Sequence, residues 1–223
     1  MKPYYEESGI TIYHGDCREV LPTLPKVDLV LTDPPYGIGL NYGDGSDDSP
    51  ETYWAWFLPV LASLRAIAPV VLTHRQEALR YLSGYDHLCV WNKPMAFGYA
   101  IKGWLHHWEP IFIFGAEPTA IREGVKPARS DVFTVGTTAN NTGHPCPKPL
   151  KLMREILCAF AGDPILDPFM GSGTTIVAAK QSGRSAIGIE IEEKYCEIAA
   201  NRLRQAVFDF SEPEPQPVQG ELL

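Results

Sequence analysis

The sequence lacks several features that would assign the protein to a class at once. It contains no apolar run of about eighteen residues, the length of a membrane-spanning helix, and its polar, acidic start is not typical of a signal peptide. Its 5 cysteines are scattered without a Cys-x-x-Cys pair, which argues against a disulfide framework or a structural zinc site. We therefore expect a cytoplasmic protein with reduced thiols and no membrane partner. Its 223 residues, 45% of them hydrophobic, predict one domain with a sizeable core.

Basic residues are also fewer than acidic ones: the chain has 19 Lys and Arg and 27 Asp and Glu, which gives a net charge of −8. The charge is unevenly distributed along the chain. Residues 74–154 carry 10 basic and 6 acidic side chains, whereas the segments on either side are acidic. This middle segment could form a local basic footprint for nucleic acid on an acidic protein, or it could be an ordinary solvated surface.

The segment TDPPYGIG follows an apolar run that predicts a strand ending at Thr32. Asp33 would then lie at the end of a strand, where open α/β sheets place their active sites. Pro34 and Pro35 fix two φ angles and remove two backbone donors, so the Asp33 carboxylate and the Pro34 carbonyl remain as acceptors beside the ring of Tyr36. Two acceptors and a stacking face suit a planar group that bears an NH2, although a plain strand-ending turn has the same pattern.

A second turn, DPFMGSGTT, also follows an apolar run and leads into a helix predicted to start near Thr174. Gly171 and Gly173 would lie in a strand-to-helix turn where the backbone approaches a ligand closely. Glu190 ends another predicted strand downstream and is placed to accept hydrogen bonds from ribose hydroxyls. A P-loop is excluded because no Lys-Ser or Lys-Thr pair follows the glycines, and the third glycine of a dinucleotide fingerprint is missing.

Together, DPPY and DPF-x-G-S-G-T with its downstream acid resemble the S-adenosylmethionine-dependent amino-methyltransferases of DNA. The order, with the catalytic motif first, resembles the permuted beta class of that family. The resemblance implies a Rossmann-like α/β fold: a mostly parallel seven-stranded sheet with one antiparallel strand and helices on both faces. It also implies S-adenosyl-L-methionine as methyl donor, S-adenosyl-L-homocysteine as product, and duplex DNA with a flipped-out base as partner. Because the motif begins with Asp33, adenine N6 is the expected target, and cytosine N4 or an RNA base is the alternative.

The resemblance also assigns roles to individual residues. Asp33 and the Pro34 carbonyl would hold the two amino hydrogens of the target, Pro35 would stiffen the turn, and Tyr36 would stack on the base. Lys148 would meet the carboxylate of the donor, with a surface lysine as the alternative. Donor-binding residues would be Asp16, Cys17, Asp33, Lys148, Asp167, Phe169, Gly171, Ser172, Gly173, Thr174 and Glu190. For Asp16, a helix N-cap is an equally good interpretation.

One methyltransferase domain is expected over residues 1–210. It would contain a catalytic half (1–116), a small target-recognition insert (117–142) and a cofactor-binding half (143–210), followed by a disordered acidic tail (211–223). So short an insert implies a short recognition sequence, relaxed specificity, or help from a second subunit in a homodimer.

Several local predictions concern the catalytic half. The stretch 37–50, rich in Gly, Asp and Ser, predicts a mobile lid over the site. Residues 51–68 predict an amphipathic helix interrupted by Pro59, and RQEALRYLSG predicts a further helix. Residues 104–115 predict an antiparallel strand at one side of the sheet.

Three further predictions concern function. His106 and His107 are adjacent, so in a strand they would face opposite sides and could not bind one metal ion together; no metal is expected. Cys146 stands where the family commonly has Thr, which leaves its role open. The strands that end at Asp33 and Asp167 must be neighbours, because the methyl donor and the target amine have to share one crevice.

Overall fold

The computed structural model describes residues 1–37, 50–94, 106–119, 129–137 and 147–205. The strands in these ranges are β1 (Tyr5–Glu7), β2 (Ile10–His14), β3 (Leu29–Thr32), β4 (Val70–Thr73), β5 (His87–Asn92), β6 (Trp108–Phe114), β7 (Val132–Thr134), β8 (Ile165–Asp167) and β9 (Ala186–Glu190). The helices are α1 (Cys17–Val20), α2 (Pro50–Ile67), α3 (Leu150–Ala159), α4 (Thr174–Gln181) and α5 (Glu193–Gln205). Two short 3-10 segments cover Leu21–Thr23 and Gln76–Arg80.

All of these strands belong to one sheet, in the order β1-β2-β9-β8-β3-β4-β6-β5-β7. The run from β2 to β4 is parallel throughout, whereas β6 is antiparallel to both of its neighbours and β1 is antiparallel to β2. The predicted Rossmann-like α/β fold is therefore confirmed. Within the described residues the sheet has 9 strands instead of the seven expected, because β1 and β7 extend its two edges.

Two predictions about strand placement need correction. The antiparallel strand β6 lies between β4 and β5 and not at one side of the sheet. The range 117–142, which has no strand pattern in the sequence, supplies β7, whose Phe133 pairs with Trp91 of β5. A 3-residue strand held by one parallel neighbour is too short to leave a periodic signal.

The core lies in two layers, one on each face of the sheet. Alternation along β3 places Leu29 and Leu31 in the layer covered by α3, α4 and α5, while Val30 belongs to the layer covered by α1 and α2. Helices on both faces are therefore confirmed. The strand is buried on both sides, which explains why its sequence is a continuous apolar run.

The prediction that Pro59 interrupts its helix is wrong, because α2 continues through it from Pro50 to Ile67. Pro59 itself is exposed, while Phe57, Leu61 and Leu64 are buried. Burial of this apolar face outweighs the backbone hydrogen bond that the proline removes. The helix predicted for RQEALRYLSG is reduced to the 3-10 segment Gln76–Arg80.

Three of the described cysteines, Cys17, Cys89 and Cys196, are buried, Cys158 is exposed, and all four are free thiols. Within the described part of the chain, no helix is long and apolar enough to cross a membrane. The predicted lid beyond Gly37, most of the recognition insert, Cys146 and the acidic tail lie outside the described residues.

Candidate active site

The strands that carry the two motifs are neighbours, as predicted. β3 and β8 pair in parallel, with Leu29 opposite Ile165 and Val30 opposite Leu166. Because β2, β9, β8 and β3 are consecutive parallel strands, the turns after their carboxyl ends lie along one edge of the sheet. The turn predicted to be catalytic, residues 33–37 (the catalytic turn), and the glycine turn, residues 168–173, therefore border the same crevice.

A hydrogen bond joins these two turns. The hydroxyl of Thr32 donates to Asp167 Oδ1 over 2.7 Å, and the backbone N–H of Phe169 donates to the same oxygen over 3.1 Å. Asp167 is only 2% exposed, and this burial raises the pKa of its carboxyl to about 6. The observed role of Asp167 is to hold the turns together, and its contact with a donor stays a prediction.

The Asp33 carboxylate receives three donors. Its Oδ1 accepts from Thr73 Oγ1 at 2.6 Å and from the Tyr36 hydroxyl at 2.8 Å. Its Oδ2 accepts from Lys148 Nζ at 2.7 Å. The structure thus brings together three of the predicted site residues, Asp33, Tyr36 and Lys148. It adds Thr73, at the end of β4, which the sequence interpretation missed.

Tyr36 stacks on His74, with ring centroids 4.8 Å apart and planes inclined by 22°. His74 Nδ1 accepts from the Arg75 backbone N–H, so Nε2 carries the hydrogen and donates to the Tyr53 hydroxyl at 3.0 Å. Burial, with Lys148 and Arg75 nearby, lowers the pKa of His74 to about 3. A neutral imidazole therefore packs against one face of the Tyr36 ring.

Gly37 closes the catalytic turn with a φ of +64°, a conformation that favours glycine. A Cβ atom at this position would lie 2.6 Å from Cγ of the Tyr53 ring. Tyr53 is 2% exposed and cannot move aside easily. The glycine therefore lets the DPPY turn pack directly on α2.

Glu109 of β6 is a second acid in this site that the sequence interpretation missed. One of its carboxylate oxygens accepts from Lys93 Nζ at 2.8 Å, and the other lies 3.6 Å from Lys148 Nζ and 3.3 Å from the Tyr36 hydroxyl. Burial alone would raise the pKa of Glu109, but Lys148 and Lys93 outweigh it and lower that pKa. Burial, Asp33 and Glu109 together raise the pKa of Tyr36 well above its ordinary value. The sequence signal that could have identified Glu109 is the presence of an acid inside an otherwise apolar strand.

On the donor side of the crevice, Glu190 contacts the glycine turn. Its Oε2 accepts from the Gly171 N–H and its Oε1 from the Glu192 N–H, each at 2.9 Å. Burial raises the pKa of Glu190 to about 7. Gly173 has a φ of +80°, and a Cβ there would lie 2.7 Å from Cβ of Ala199. The strand-to-helix turn predicted before α4 is present, but the close approach at Gly173 is to α5, and approach to a ligand stays a prediction.

Asp16 caps α1, because its side chain accepts from the Arg18 backbone N–H at 2.8 Å. The preceding Gly15 N–H donates to the carbonyl of Glu190 at 2.9 Å, so this turn also lies next to the end of β9. Four more predicted donor-binding residues are buried or half-buried at this edge, and their contacts with a donor stay predictions: Cys17, Phe169, Ser172 and Thr174.

The histidine pair does not form a metal site with its described surroundings. His107 Nδ1 lies 3.3 Å from the carbonyl oxygen of Lys93. Among the residues that the structure describes, no group of three His, Cys, Asp or Glu side chains could hold a metal ion.

Comparison with known proteins gives consistent matches. A family model described as DNA methylase (N6_N4_Mtase) matches residues 87–201. DNA adenine methyltransferase YhdJ of Escherichia coli is 28% identical, over 86% of this chain and 82% of its own. The solved structure of TTHA0409 from Thermus thermophilus with S-adenosyl-L-methionine is 25% identical, with a TM-score of 0.61 over 89% of this chain and 95% of that one. The cytosine-N4-specific PvuII DNA methyltransferase shares the fold at 18% identity, with a TM-score of 0.70 over 90% of this chain and 88% of that one.

Proposed function

Because the chain belongs to the DNA methylase family, we propose that it transfers a methyl group from S-adenosyl-L-methionine to the N6 amine of an adenine flipped out of DNA. The observation that carries this proposal is the bond between the two motifs. Thr32, just before the catalytic turn, donates to Asp167, just before the glycine turn. A methyl donor bound at the glycine turn and an amine held at Asp33 would therefore meet in one crevice.

The residues on the donor side fit this cofactor. A carboxylate offers about four acceptor positions, and Glu190 uses some of them for the backbone N–H groups of Gly171 and Glu192. The remaining lone pairs of this half-buried acid can accept from the two ribose hydroxyls. Lys148 was expected to meet the carboxylate of the donor, but in the structure its ammonium contacts Asp33 and Tyr36. When bound, the donor supplies a methyl group on a positively charged sulfur.

On the acceptor side, Asp33 and the Pro34 carbonyl hold the two amino hydrogens of the base. These contacts draw the nitrogen lone pair out of conjugation with the ring and point it at the methyl group. A carboxylate is a weak base toward a neutral arylamine, so the new N–C bond forms and the S–C bond breaks before the proton leaves for Asp33. Much of the acceleration then comes from orientation.

A base inside a duplex cannot reach this crevice, so it must be flipped out, at a cost of about a few kcal/mol. Tyr36 can return part of this cost, since stacking on an aromatic ring contributes about 1 to 3 kcal/mol per base. His74 covers one face of Tyr36, and the base would stack on the other. A purine offers more stacking area than a pyrimidine, which favours adenine over cytosine.

The proposal is tested with purified protein, duplex DNA and methyl-labelled donor, followed by digestion of the DNA and separation of its nucleosides. The label should travel with N6-methyladenine. Label in N4-methylcytosine would support methyl transfer to DNA but would contradict adenine as the target base. Label on RNA only, or on neither nucleic acid, would overturn DNA as the substrate.

A further inference from the structure

The ammonium of Lys148 contacts the oxygen of Asp33 that the proposed reaction needs. Oδ1 of Asp33 already accepts from Thr73 and Tyr36, and Oδ2 accepts from Lys148 at 2.7 Å. The target amine has to donate to this carboxylate. Oδ1 already has two hydroxyl donors, so the amine would take the remaining position on Oδ2, directly beside the Lys148 ammonium. The amine nitrogen becomes positively charged as the methyl group is transferred, so the neighbouring ammonium opposes the reaction unless it gives way.

A neutral amine does not displace this ammonium from Asp33 by itself. Hydrogen bonds between an ammonium and a carboxylate are roughly twice as strong as those between neutral groups. The Lys148 side chain is 7% exposed, so water cannot readily solvate its charge once it leaves Asp33. A buried cation without an anion is costly, and Lys148 therefore needs a second carboxylate within reach.

Glu109 is the acid beside this ammonium. Its Oε2 lies 3.6 Å from Lys148 Nζ, so a small displacement of Nζ exchanges one carboxylate for the other. The Glu109 side chain is 17% exposed and is held in place by Lys93 at 2.8 Å. The Tyr36 hydroxyl, which also contacts Lys148, lies between the two acids.

We propose that Glu109 is a positioning residue for the methyl transfer: it takes over the ammonium of Lys148 when the target amine reaches Asp33. This inference rests on the proposed function. It assigns Glu109 no contact with the base and no proton transfer, because its action is to bind a positive charge that otherwise opposes methyl transfer at Asp33. Glu109 should therefore affect the transfer step and not the binding of the donor.

The inference is tested by single-turnover transfer at saturating donor and DNA. Glu109→Gln keeps an acceptor for Tyr36 but removes the charge, so the transfer rate should fall by about tenfold or more, as expected for loss of a charged partner. The dissociation constant of the donor should stay within about twofold of wild type, a smaller change than the loss of one hydrogen bond. The matched control is Glu6→Gln, which changes an exposed acid on the edge strand β1 and should transfer at the wild-type rate.

The decisive comparison is a double-mutant cycle with Lys148→Met. In that background no ammonium has to be moved, so adding Glu109→Gln should leave the rate unchanged. Should Glu109→Gln not fold, Glu109→Asp makes the same comparison, because its shorter side chain retracts the charge from Lys148. We expect Glu109→Asp to lower the transfer rate less than Glu109→Gln would, and we expect no such loss in the Lys148→Met background.

Two results would overturn the inference alone. An unchanged rate in Glu109→Gln would mean that Lys148 moves elsewhere, for example to the carboxylate of the donor. An equal loss with and without Lys148 would mean that Glu109 acts only through Lys93 or Tyr36. A wild-type protein that transfers no methyl group would instead overturn the proposed function, and this inference with it.

Discussion

Thr32 and Asp167, which lie on neighbouring strands 135 positions apart in the chain, share a buried hydrogen bond of 2.7 Å. Each comes directly before a turn of the candidate site, so this bond fixes the spacing between the proposed amine-holding and donor-holding groups. Breaking this bond costs more at Asp167 than at Thr32, because a buried carboxylate that loses its donor cannot form a replacement hydrogen bond to water.

Replacing Thr32 by Val should lower the free energy of unfolding by about 1 to 3 kcal/mol, the cost of leaving a buried acceptor unsatisfied. The loss should grow as the pH rises through about 6, because the ionised form of Asp167 needs the donor most and the protonated form needs it least. Urea unfolding at a series of pH values measures this. Thr32→Ser retains the hydroxyl and serves as the control; a Val variant as stable as the Ser variant at every pH would contradict the assignment.

Asp33→Ala should abolish methyl transfer while donor affinity changes little. The substitution removes the proposed acceptor for the target amine, whereas the donor-side contacts of Glu190 and the glycine turn remain. Transfer assays and calorimetry with the donor measure the two effects separately. Glu6→Ala, which removes an exposed acid on the edge strand β1, is the control. Turnover near that of wild type in Asp33→Ala would show that the catalytic site lies elsewhere.

Glu190→Ala should weaken donor binding by about 1 to 3 kcal/mol, the scale of a lost hydrogen bond to a charged group. The same change should leave the spacing of β8 and β3 intact, because Thr32 and Asp167 are untouched. Titration calorimetry measures the affinity, and Glu197→Ala on the exposed side of α5 is the comparison. If both variants bind the donor equally well, Glu190 is not a ribose ligand.

Donor affinity should also depend on pH through Glu190. Burial raises the pKa of this acid to about 7, so it is mostly protonated below that pH and ionised above it. Because the ionised form is the better acceptor for ribose hydroxyls, affinity should fall as the pH is lowered through about 7, and binding near that pH should release a proton. Calorimetry in buffers of different ionisation enthalpy detects this proton. Glu190→Gln cannot ionise and should bind without it; proton release that persists in that variant comes from another group.

Gly37→Ala should damage the catalytic turn. The new Cβ would lie 2.6 Å from the Tyr53 ring, and the φ of +64° is itself unfavourable for alanine. We expect a loss of stability of about 1 to 3 kcal/mol together with reduced transfer. Gly136→Ala is a matched control, since its Cβ would meet nothing within 4 Å and it has no positive φ. Thermal unfolding of the two variants side by side checks the prediction, and equal midpoints would refute it.

The outline of the site could be predicted from the sequence because each of its two turns comes directly after a strand, one after β3 and the other after β8. The apolar runs before Thr32 and Asp167 indicate buried parallel strands, whose carboxyl ends must lie at one edge. The glycine turn could be recognised because Gly171 and Gly173 are needed at positive φ. These signals are local in the chain, and the fold brings them together.

Glu109 and Thr73 could not be predicted in the same way. Tyr36 and Glu109 are 73 positions apart, and no periodicity links residues that the fold alone brings into contact. The continuation of α2 through Pro59 was missed for a related reason. The cost of the proline is local, whereas the burial of Phe57 and Leu64 that outweighs it depends on the sheet beneath.

The strand order has a consequence for how the protein is made. β9 and β8, from the last third of the chain, lie between β2 and β3, from its first 32 residues. During synthesis β2 and β3 leave the ribosome before β8 and β9, which lie between them in the folded sheet. These early strands cannot complete their pairing until residue 190 has emerged. The sheet then closes through long-range pairings, which makes folding slow compared with that of a protein built from local contacts. A chain truncated before β8 therefore lacks two central strands of the sheet and the glycine turn that borders the crevice. Chains released by ribosomes that stall before this point should have no partial activity.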